Sequence, residues 1–579
     1  MRNSRTCSVV RGVAIAAITL LSASCDKLGL PHKRHQVTHN WTPPQVETVA
    51  GVPAAAIDSA IARRLGAERP KEVPATRWEH VQRLYKAYDG GALWMESEGP
   101  NRARTNALLQ AIAGADSDAL RLDAYPLPEL VQTIGTVRET KTPTAEQLAN
   151  ADVLLTTAYI ALSEDLLSGQ TNPKDLAQDW HIDVGREQLD SAVALSLRSD
   201  SLSEGLALMR PQDEDYAALQ AAMGRFREIV NNGGWSPVPA GKALKRGDRD
   251  GADRLAALRA RLAAEGFLAD SAADSAATPV ASTGSGTAVY DRALAGAVAE
   301  FQAHHGIVVD SMLGAETLQS LNVPADYRLA QIAANLERYR WLPRNLGQRY
   351  IFVNVPAFRL QAYDSGQKVL EMKVIVGQEY EGKKTPVFAD SMETVVFRPY
   401  WNITPDIQRT EVGPKAAANP GYLAANNMEY YRDGGVRRIR QKPGPQNSLG
   451  LVKFLFPNDF NIYLHDTPNH ELFDKDVRAF SHGCIRLEKP DELAQYVLGW
   501  PLDKVQSYEQ GEDNRSVRLP HKLPVYITYF TTYTRDGQLY FGNDLYGRDD
   551  KLVQQLASTS VADPEATRNL EALRKLVND

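Results

Sequence analysis

Ser481-His482-Gly483-Cys484-Ile485-Arg486-Leu487 places a thiol in a short polar turn, and His465 lies sixteen residues before Ser481. Cys484 is the one cysteine beyond residue 25 in a chain of 579 residues. A lone body cysteine set among histidines reads as a nucleophile rather than a structural group. A free thiol has a pKa of about 8.5, so only a few per cent is thiolate at neutral pH and a base must stand beside it. His465 follows a predicted strand, Asn461–Leu464, and so projects from its end into a cleft. Gly483 removes a Cβ beside the nucleophile and lets a carbonyl approach the backbone. The N–H groups of Gly483 and Cys484 then offer donors to the oxyanion of a tetrahedral intermediate. The expected chemistry is acyl transfer through a thioester, with no metal or organic cofactor. A zinc site built from His465, His482 and Cys484 is the competing reading, and its spacing departs from the common structural zinc patterns.

Several elements must hold this constellation. Tyr350–Pro356, Val369–Val376, Thr394–Phe397, Asn461–Leu464 and Val525–Phe530 are β-branched and aromatic runs with partial alternation. Gly, Asn, Asp and Pro turns separate them, which predicts a mixed or antiparallel β domain over about 349–543. Pro490–Val497 is expected to form a short helix behind the cysteine turn. Residues 400–455 are rich in Asn, Gly and Pro, and a long insertion of this kind beside a site suits a lid that excludes water. Trp401 within it either touches substrate or packs in a core. Tyr463 either lines the cleft or packs. His470 is expected at the surface.

Upstream, helical spacing dominates from about Ala54 to Ile229, as in Leu154-Ala158-Leu162-Leu166 and Tyr216-Leu219-Met223-Phe226. No compact set of His, Cys or carboxylates marks this stretch, which reads as a scaffold. A second unit, about 238–323, has helical patterns at Leu255-Leu258-Leu262 and Leu294-Val298-Phe301, separated by an Ala-, Ser-, Thr- and Gly-rich insertion, Ser271–Thr287. The tail from Asp550 reads as helical and polar.

The net charge is −6, with 43% hydrophobic and 23% charged residues. That is ordinary globular material without the basic footprint of a nucleic-acid binder. Arg2, Arg5 and Arg11 precede a short apolar run, Gly12–Leu21, too short to span a bilayer. Residues 1–25 therefore read as an export signal. Ser22 and Ser24 suit ordinary cleavage, whereas Cys25 resembles a bacterial lipoprotein acceptor, with Ser22 where that motif usually has Leu. Asp26 resembles the following residue that retains enteric lipoproteins at the inner membrane. Residues 26–48 are polar and Pro-containing, as a linker would be.

His465 followed by Ser481-His482-Gly483-Cys484-Ile485-Arg486 resembles the signature of the YkuD-type L,D-transpeptidase catalytic domain, with Arg486 where many members have Asn. Asn335–Pro343 and Pro356–Leu360 resemble the large periplasmic subgroup that adds a helical scaffold and a peptidoglycan-binding unit. Leu244, Gly247-Asp248, Tyr290-Asp291, Phe301-Gln302, Asp310, Gly314, Thr317-Leu318 and Leu321-Asn322 resemble that small helical unit, departing at Ser311 where Gly is common. The resemblance implies a multidomain α+β protein: signal 1–25, linker 26–48, helical scaffold 49–237, peptidoglycan-binding-like unit 238–325, mainly-β catalytic domain 326–549 with a capping insertion at about 400–455, and a helical tail 550–579.

The resemblance also implies roles. Cys484 is the nucleophile, and His465 is the base and later the acid. The Asp466 carbonyl orients His465, His482 lines the site and tunes the thiolate, and Ser481 braces the turn. Arg486 meets either a stem-peptide carboxylate or a local salt bridge, since a guanidinium forks onto carboxylates. The implied partners are donor and acceptor tetrapeptide stems of peptidoglycan, with synthases supplying strands, and the membrane only through a lipid on Cys25. The implied reaction releases D-alanine and forms 3→3 cross-links in the periplasm. The same acyl-enzyme passed to water, a free D-amino acid or a lipoprotein is the rival, and a binding protein with an idle site is another.

Overall fold

The computed structural model describes residues 37–176, 179–184, 188–268, 286–380, 382–557 and 564–578. Cys25, the segment read from sequence as an export signal and most of the Ser271–Thr287 insertion lie outside the described residues.

Nine strands form the catalytic sheet: β1 Arg349–Asn354, β2 Arg359–Asp364, β3 Gln367–Gly377, β4 Phe388–Phe397, β5 Val452–Leu455, β6 Leu464–His465, β7 Ala479–Ser481, β8 Ile485–Leu487 and β9 Arg515–Thr528. Their order is β7-β3-β8-β6-β5-β4-β9-β1-β2, and β2 also pairs with the first part of β3, so the sheet curls back on itself. The β3–β7, β6–β8 and β1–β9 pairs are parallel, and the remainder are antiparallel. Val353, Leu360, Val374, Val395, Phe454, Leu464, Ile485 and Val525 fill its interior. The predicted strand at Asn461–Leu464 is shorter and later than its composition suggests. Asn461 sits at φ 56°, outside extended geometry, and His465 lies within β6 rather than beyond it.

The insertion between β4 and β5 folds as a separate small body. Trp401–Asn402, Val436–Gln441 and Met428–Asp433 make a three-stranded sheet. Ile403, Val412 and Ile439 form its own buried cluster, apart from that of the catalytic sheet.

The scaffold is a helical array around Ala145–Ser168, which is buried on most sides. Thr144 and Gln147 close a capping box at its start, satisfying two orphan N–H groups. Asp152 is buried there and accepts bonds from Tyr85 Oη (2.6 Å), Leu93 N (3.0 Å) and Trp94 N (2.8 Å). Burial pushes its carboxyl up to about 6. The tail carries more than the polar extension its composition suggests. Leu573 and Val577 of the helix Pro564–Asn578 are buried in the scaffold core, and Leu552, Val553 and Leu556 of Asp550–Ala557 join the catalytic core.

Ala252–Ala264, Arg292–His304 and Ala315–Leu321 build the small helical unit around Leu258, Leu262, Leu294, Val298 and Phe301. Ser311 there has φ 61°, a left-handed conformation that glycine adopts more readily. His304 stacks on Tyr540 at 4.2 Å and His305 on Phe541 at 5.4 Å, which docks this unit against the hairpin Thr532–Arg535/Gln538–Phe541. The helix Ala325–Arg340 and the helix Glu214–Asn231 pack into the catalytic core and join the units. Among the described residues no helix is long and apolar enough to cross a membrane.

Candidate functional site

The turn His482-Gly483-Cys484 links β7 to β8. Gly483 has φ 113°, and a Cβ there would stand 3.1 Å from Ile462 Cδ1. A Cβ on Gly377, at the end of β3, would stand 2.0 Å from the Lys383 carbonyl and 3.1 Å from Gly483 Cα. The two glycines let β3 and the turn pack backbone to backbone. Thr385 then pins the pair. Its hydroxyl donates to Gly483 O (2.8 Å) and accepts from Gly377 N (2.9 Å). Tyr546 Oη donates to Gly377 O (2.7 Å) and accepts from Thr385 N (3.2 Å). Sequence reasoning passed over Thr385 and Tyr546, because nothing local marks a buried hydroxyl that serves a distant turn.

Ser481 braces the turn from inside. It is buried, its hydroxyl donates to Cys484 O (2.5 Å), and it accepts from Gly483 N (3.1 Å). The Gly483 N–H therefore engages Ser481 rather than aiming at an incoming carbonyl, contrary to the expectation from sequence.

Cys484 is half-buried and free of disulfide. Its Sγ lies 3.7 Å from the Asn461 carbonyl. Ile485 N donates to Tyr463 O (3.1 Å), which sets Tyr463 beside the cysteine. Burial pushes the thiol up, while Tyr463, then Lys453 and Arg486, pull it down. Burial and the sulfur together hold the Tyr463 phenol well above its usual range.

His465 is buried one strand away. Its Nδ1–H donates to the Asp466 carbonyl (2.5 Å), which fixes the tautomer and leaves Nε2 as the acceptor. Burial, then Arg486, push the imidazole down to about 3, with Lys453 adding to the shift. The causes are visible in the register. Lys453 of β5 opposes His465 of β6, which opposes Arg486 of β8, so two cations flank the imidazole in one cross-strand row. Lys453 escaped the sequence reading, since β5 is a short run without a signal of its own. The Tyr463 and His465 rings are 5.6 Å apart. Among the described residues no hydrogen bond joins His465 to Cys484; catalytic bonds of this kind often tighten only when substrate is present.

The Asp466 side chain turns away from the imidazole. Its carboxylate accepts from Leu451 N (2.8 Å) and Thr467 N (2.7 Å), tying β6 to the return from the insertion. Arg486 is half-buried, its Nη2 lies 3.5 Å from Phe480 O, and among the described residues no carboxylate pairs with it. His482 is exposed, with Nε2 2.7 Å from Glu411 of the insertion. Trp401 is half-buried against the insertion's own cluster. His470 is exposed, 3.9 Å from Asp466. No group of three or more His, Cys, Asp or Glu among the described residues could hold a metal ion.

A cysteine turn and a buried histidine thus stand on neighbouring strands of a curled mixed sheet. Residues 348–527 match the family model for the L,D-transpeptidase catalytic domain, YkuD. Residues 79–223 match the scaffold domain and 252–321 a "Putative peptidoglycan binding domain". A curated relative from Haemophilus influenzae (strain ATCC 51907 / DSM 11121 / KW20 / Rd), named "Putative L,D-transpeptidase", is 32% identical over 242 residues, 38% of this chain and 48% of its own length. The chain thus spans about half the length of that relative. Two solved structures are similar: the Ldtfm–avibactam carbamoyl enzyme (12% identity, 32% of this chain and 51% of that chain, TM-score 0.15) and the L,D-transpeptidase (residues 123–326) from Xylanimonas cellulosilytica DSM 15894 (15% identity, 50% of this chain and 99% of that chain, TM-score 0.16).

Proposed function

We propose that the protein is a peptidoglycan L,D-transpeptidase that carries a stem peptide as a thioester on Cys484. The observation that carries this reading is the half-exposed thiol in a braced turn beside the strand of a buried, tautomer-fixed histidine, inside the matched catalytic domain. In the first step the Cys484 sulfur attacks the carbonyl that joins the third stem residue to the terminal D-alanine. The thiol proton passes to His465 Nε2 and on to the departing amine, and D-alanine leaves. In the second step an acceptor stem amine attacks the thioester. His465 takes the amine proton, the C–S bond breaks, and the thiolate recovers the proton. The product is a 3→3 cross-link.

Because burial keeps both groups neutral at rest, proton transfer accompanies attack rather than preceding it. The Cys484 N–H serves the oxyanion, while Gly483 shapes the turn. His482 lines the mouth, Tyr463 and Lys453 favour the thiolate as it forms, and unpaired Arg486 receives a stem carboxylate. The small helical unit holds glycan strands near the site, and synthases supply them. The place of action is the periplasm, with Cys25 as the lipid acceptor.

Purified disaccharide-tetrapeptides incubated with wild type and Cys484→Ala, followed by mass spectrometry, test the reading. Wild type yields a dimer that has lost one D-alanine, and Cys484→Ala yields none. Tripeptide monomer alone points to hydrolysis. Unchanged turnover in Cys484→Ala defeats the proposal.

A further inference from the structure

The insertion between β4 and β5, which meets the cysteine turn through Glu411, has its own buried cluster, Ile403, Val412 and Ile439, separate from the core of the main sheet. A body with its own core moves as a unit when few contacts tie it down. Glu411 supplies such a tie. It sits in a π-helical segment, Gln408–Val412, a rare geometry that recurs at functional sites. Gln408 Oε1 accepts from Ile439 N (2.9 Å), which anchors that segment to the insertion's sheet. From there the Glu411 carboxylate reaches His482 Nε2 at 2.7 Å, two residues before the nucleophile, and Lys383 Nζ at 3.4 Å. Lys383 belongs to the loop whose carbonyls line the Gly483 turn. The His482 hydrogen bond, then Lys383, hold the Glu411 carboxyl below its usual range. Among the described residues, the other hydrogen bonds made by side chains at 403–440 stay inside the insertion.

We propose that Glu411 is a positioning residue, the latch that holds the insertion closed over Cys484 through His482 and Lys383 and thereby decides whether the thioester meets an amine or water. This rests on the transpeptidase reading for its consequence, but not for the latch itself. With the latch made, the insertion screens the thioester from water, and the acceptor enters along the path that remains. With it broken, water reaches the thioester carbonyl, the C–S bond breaks, the thiol regains its proton through His465, and a tripeptide carboxylate is released.

The first test needs no peptidoglycan. Alkylation of Cys484, followed on its own peptide by mass spectrometry, is compared for iodoacetamide and for a maleimide on a polyethylene glycol chain. Glu411→Gln and Lys383→Met each raise the bulky-to-small rate ratio about threefold, the scale of one half-exposed ion pair. A change in thiol acidity moves both reagents together and leaves the ratio alone. The double variant gains less than the product of the two, because both act through one contact. An unchanged ratio in both single variants overturns the latch. The second test is the dimer-to-tripeptide ratio with disaccharide-tetrapeptides, which falls about threefold in Glu411→Gln. Absence of D-alanine release from wild type defeats the transpeptidase reading while the alkylation result still stands on its own. D-alanine release with an unaltered ratio defeats the control of transfer by Glu411.

Discussion

Cys484 and His465 both resist charging where they stand. Burial raises the thiol, and burial with Arg486 and Lys453 lowers the imidazole to about 3. The signs fix the pH response. A histidine with so low a pKa keeps its Nε2 lone pair from about pH 4 upward, so His465 imposes no acid limb near neutrality. A raised thiol places the alkaline rise of alkylation above the ordinary thiol value of about 8.5. Lys453 and Arg486 oppose that rise because a nearby cation stabilises the thiolate. Lys453→Met therefore moves the midpoint of iodoacetamide alkylation up, and Arg486→Gln moves it the same way. A midpoint below 8.5 in wild type, or a downward move in Lys453→Met, contradicts this electrostatic account. Cys484, His465 and Ser481 stood out as candidates in the sequence, because their types and spacing sit within one short stretch. Lys453 was not, since its nearness to His465 is a matter of β5–β6 register and not of chain distance.

Elements explain which parts of the turn can be altered. Thr385 is fully buried and serves two backbone groups at once, Gly483 O and Gly377 N. Valine keeps its shape and loses both bonds, leaving a buried carbonyl and a buried N–H unpaired. Each such group costs about 1–3 kcal/mol. Thr385→Val should lower the midpoint of unfolding and slow D-alanine release at least about tenfold by letting the Gly483 turn shift, and Thr385→Ser should restore most of both. Equal activity of Thr385→Val and wild type in a single-turnover assay speaks against the pin. Strands with long β-branched runs, such as β3 and β9, were readable from pattern. The strands around the cysteine turn, β5, β6, β7 and β8, run only two to four residues, too short for alternation to declare itself in the sequence, and a predicted strand meets them only at Leu464 of β6. Their exact bounds are dictated by partners on either side, which local pattern does not show.

At the scale of the molecule, the helix Ala325–Arg340 joins scaffold to catalytic sheet through charges that no apolar pattern reveals. Leu336, Tyr339 and Trp341 are buried, and Trp341 meets Trp180 edge-on at 5.1 Å. Glu337, Arg338 and Arg340 are buried as completely. Glu337 accepts from Thr171 N and Oγ1 (both 2.7 Å) on the scaffold side and from Arg340 Nη2 (2.5 Å). Arg340 donates to Asp118 O (2.7 Å) and Tyr216 Oη (3.0 Å), while Arg338 pairs with Asp549 at 2.7 Å. A sequence reader assigns such residues to solvent, because a lone charge is too costly to bury and several of the partners that offset it lie 166, 211 and 222 residues away. Removing one partner of a buried pair leaves the other uncompensated, a loss of about 3–5 kcal/mol. Glu337→Ala should therefore destabilise the joint by about that amount. Trp180 and Trp341 lie at the same joint, so their fluorescence follows its opening in denaturant. The paired change of Glu337 and Arg340 to methionine should recover part of the loss, since two apolar side chains leave no buried charge behind. A Glu337→Ala protein whose tryptophan transition coincides with wild type would mean that the scaffold is held by its apolar contacts alone.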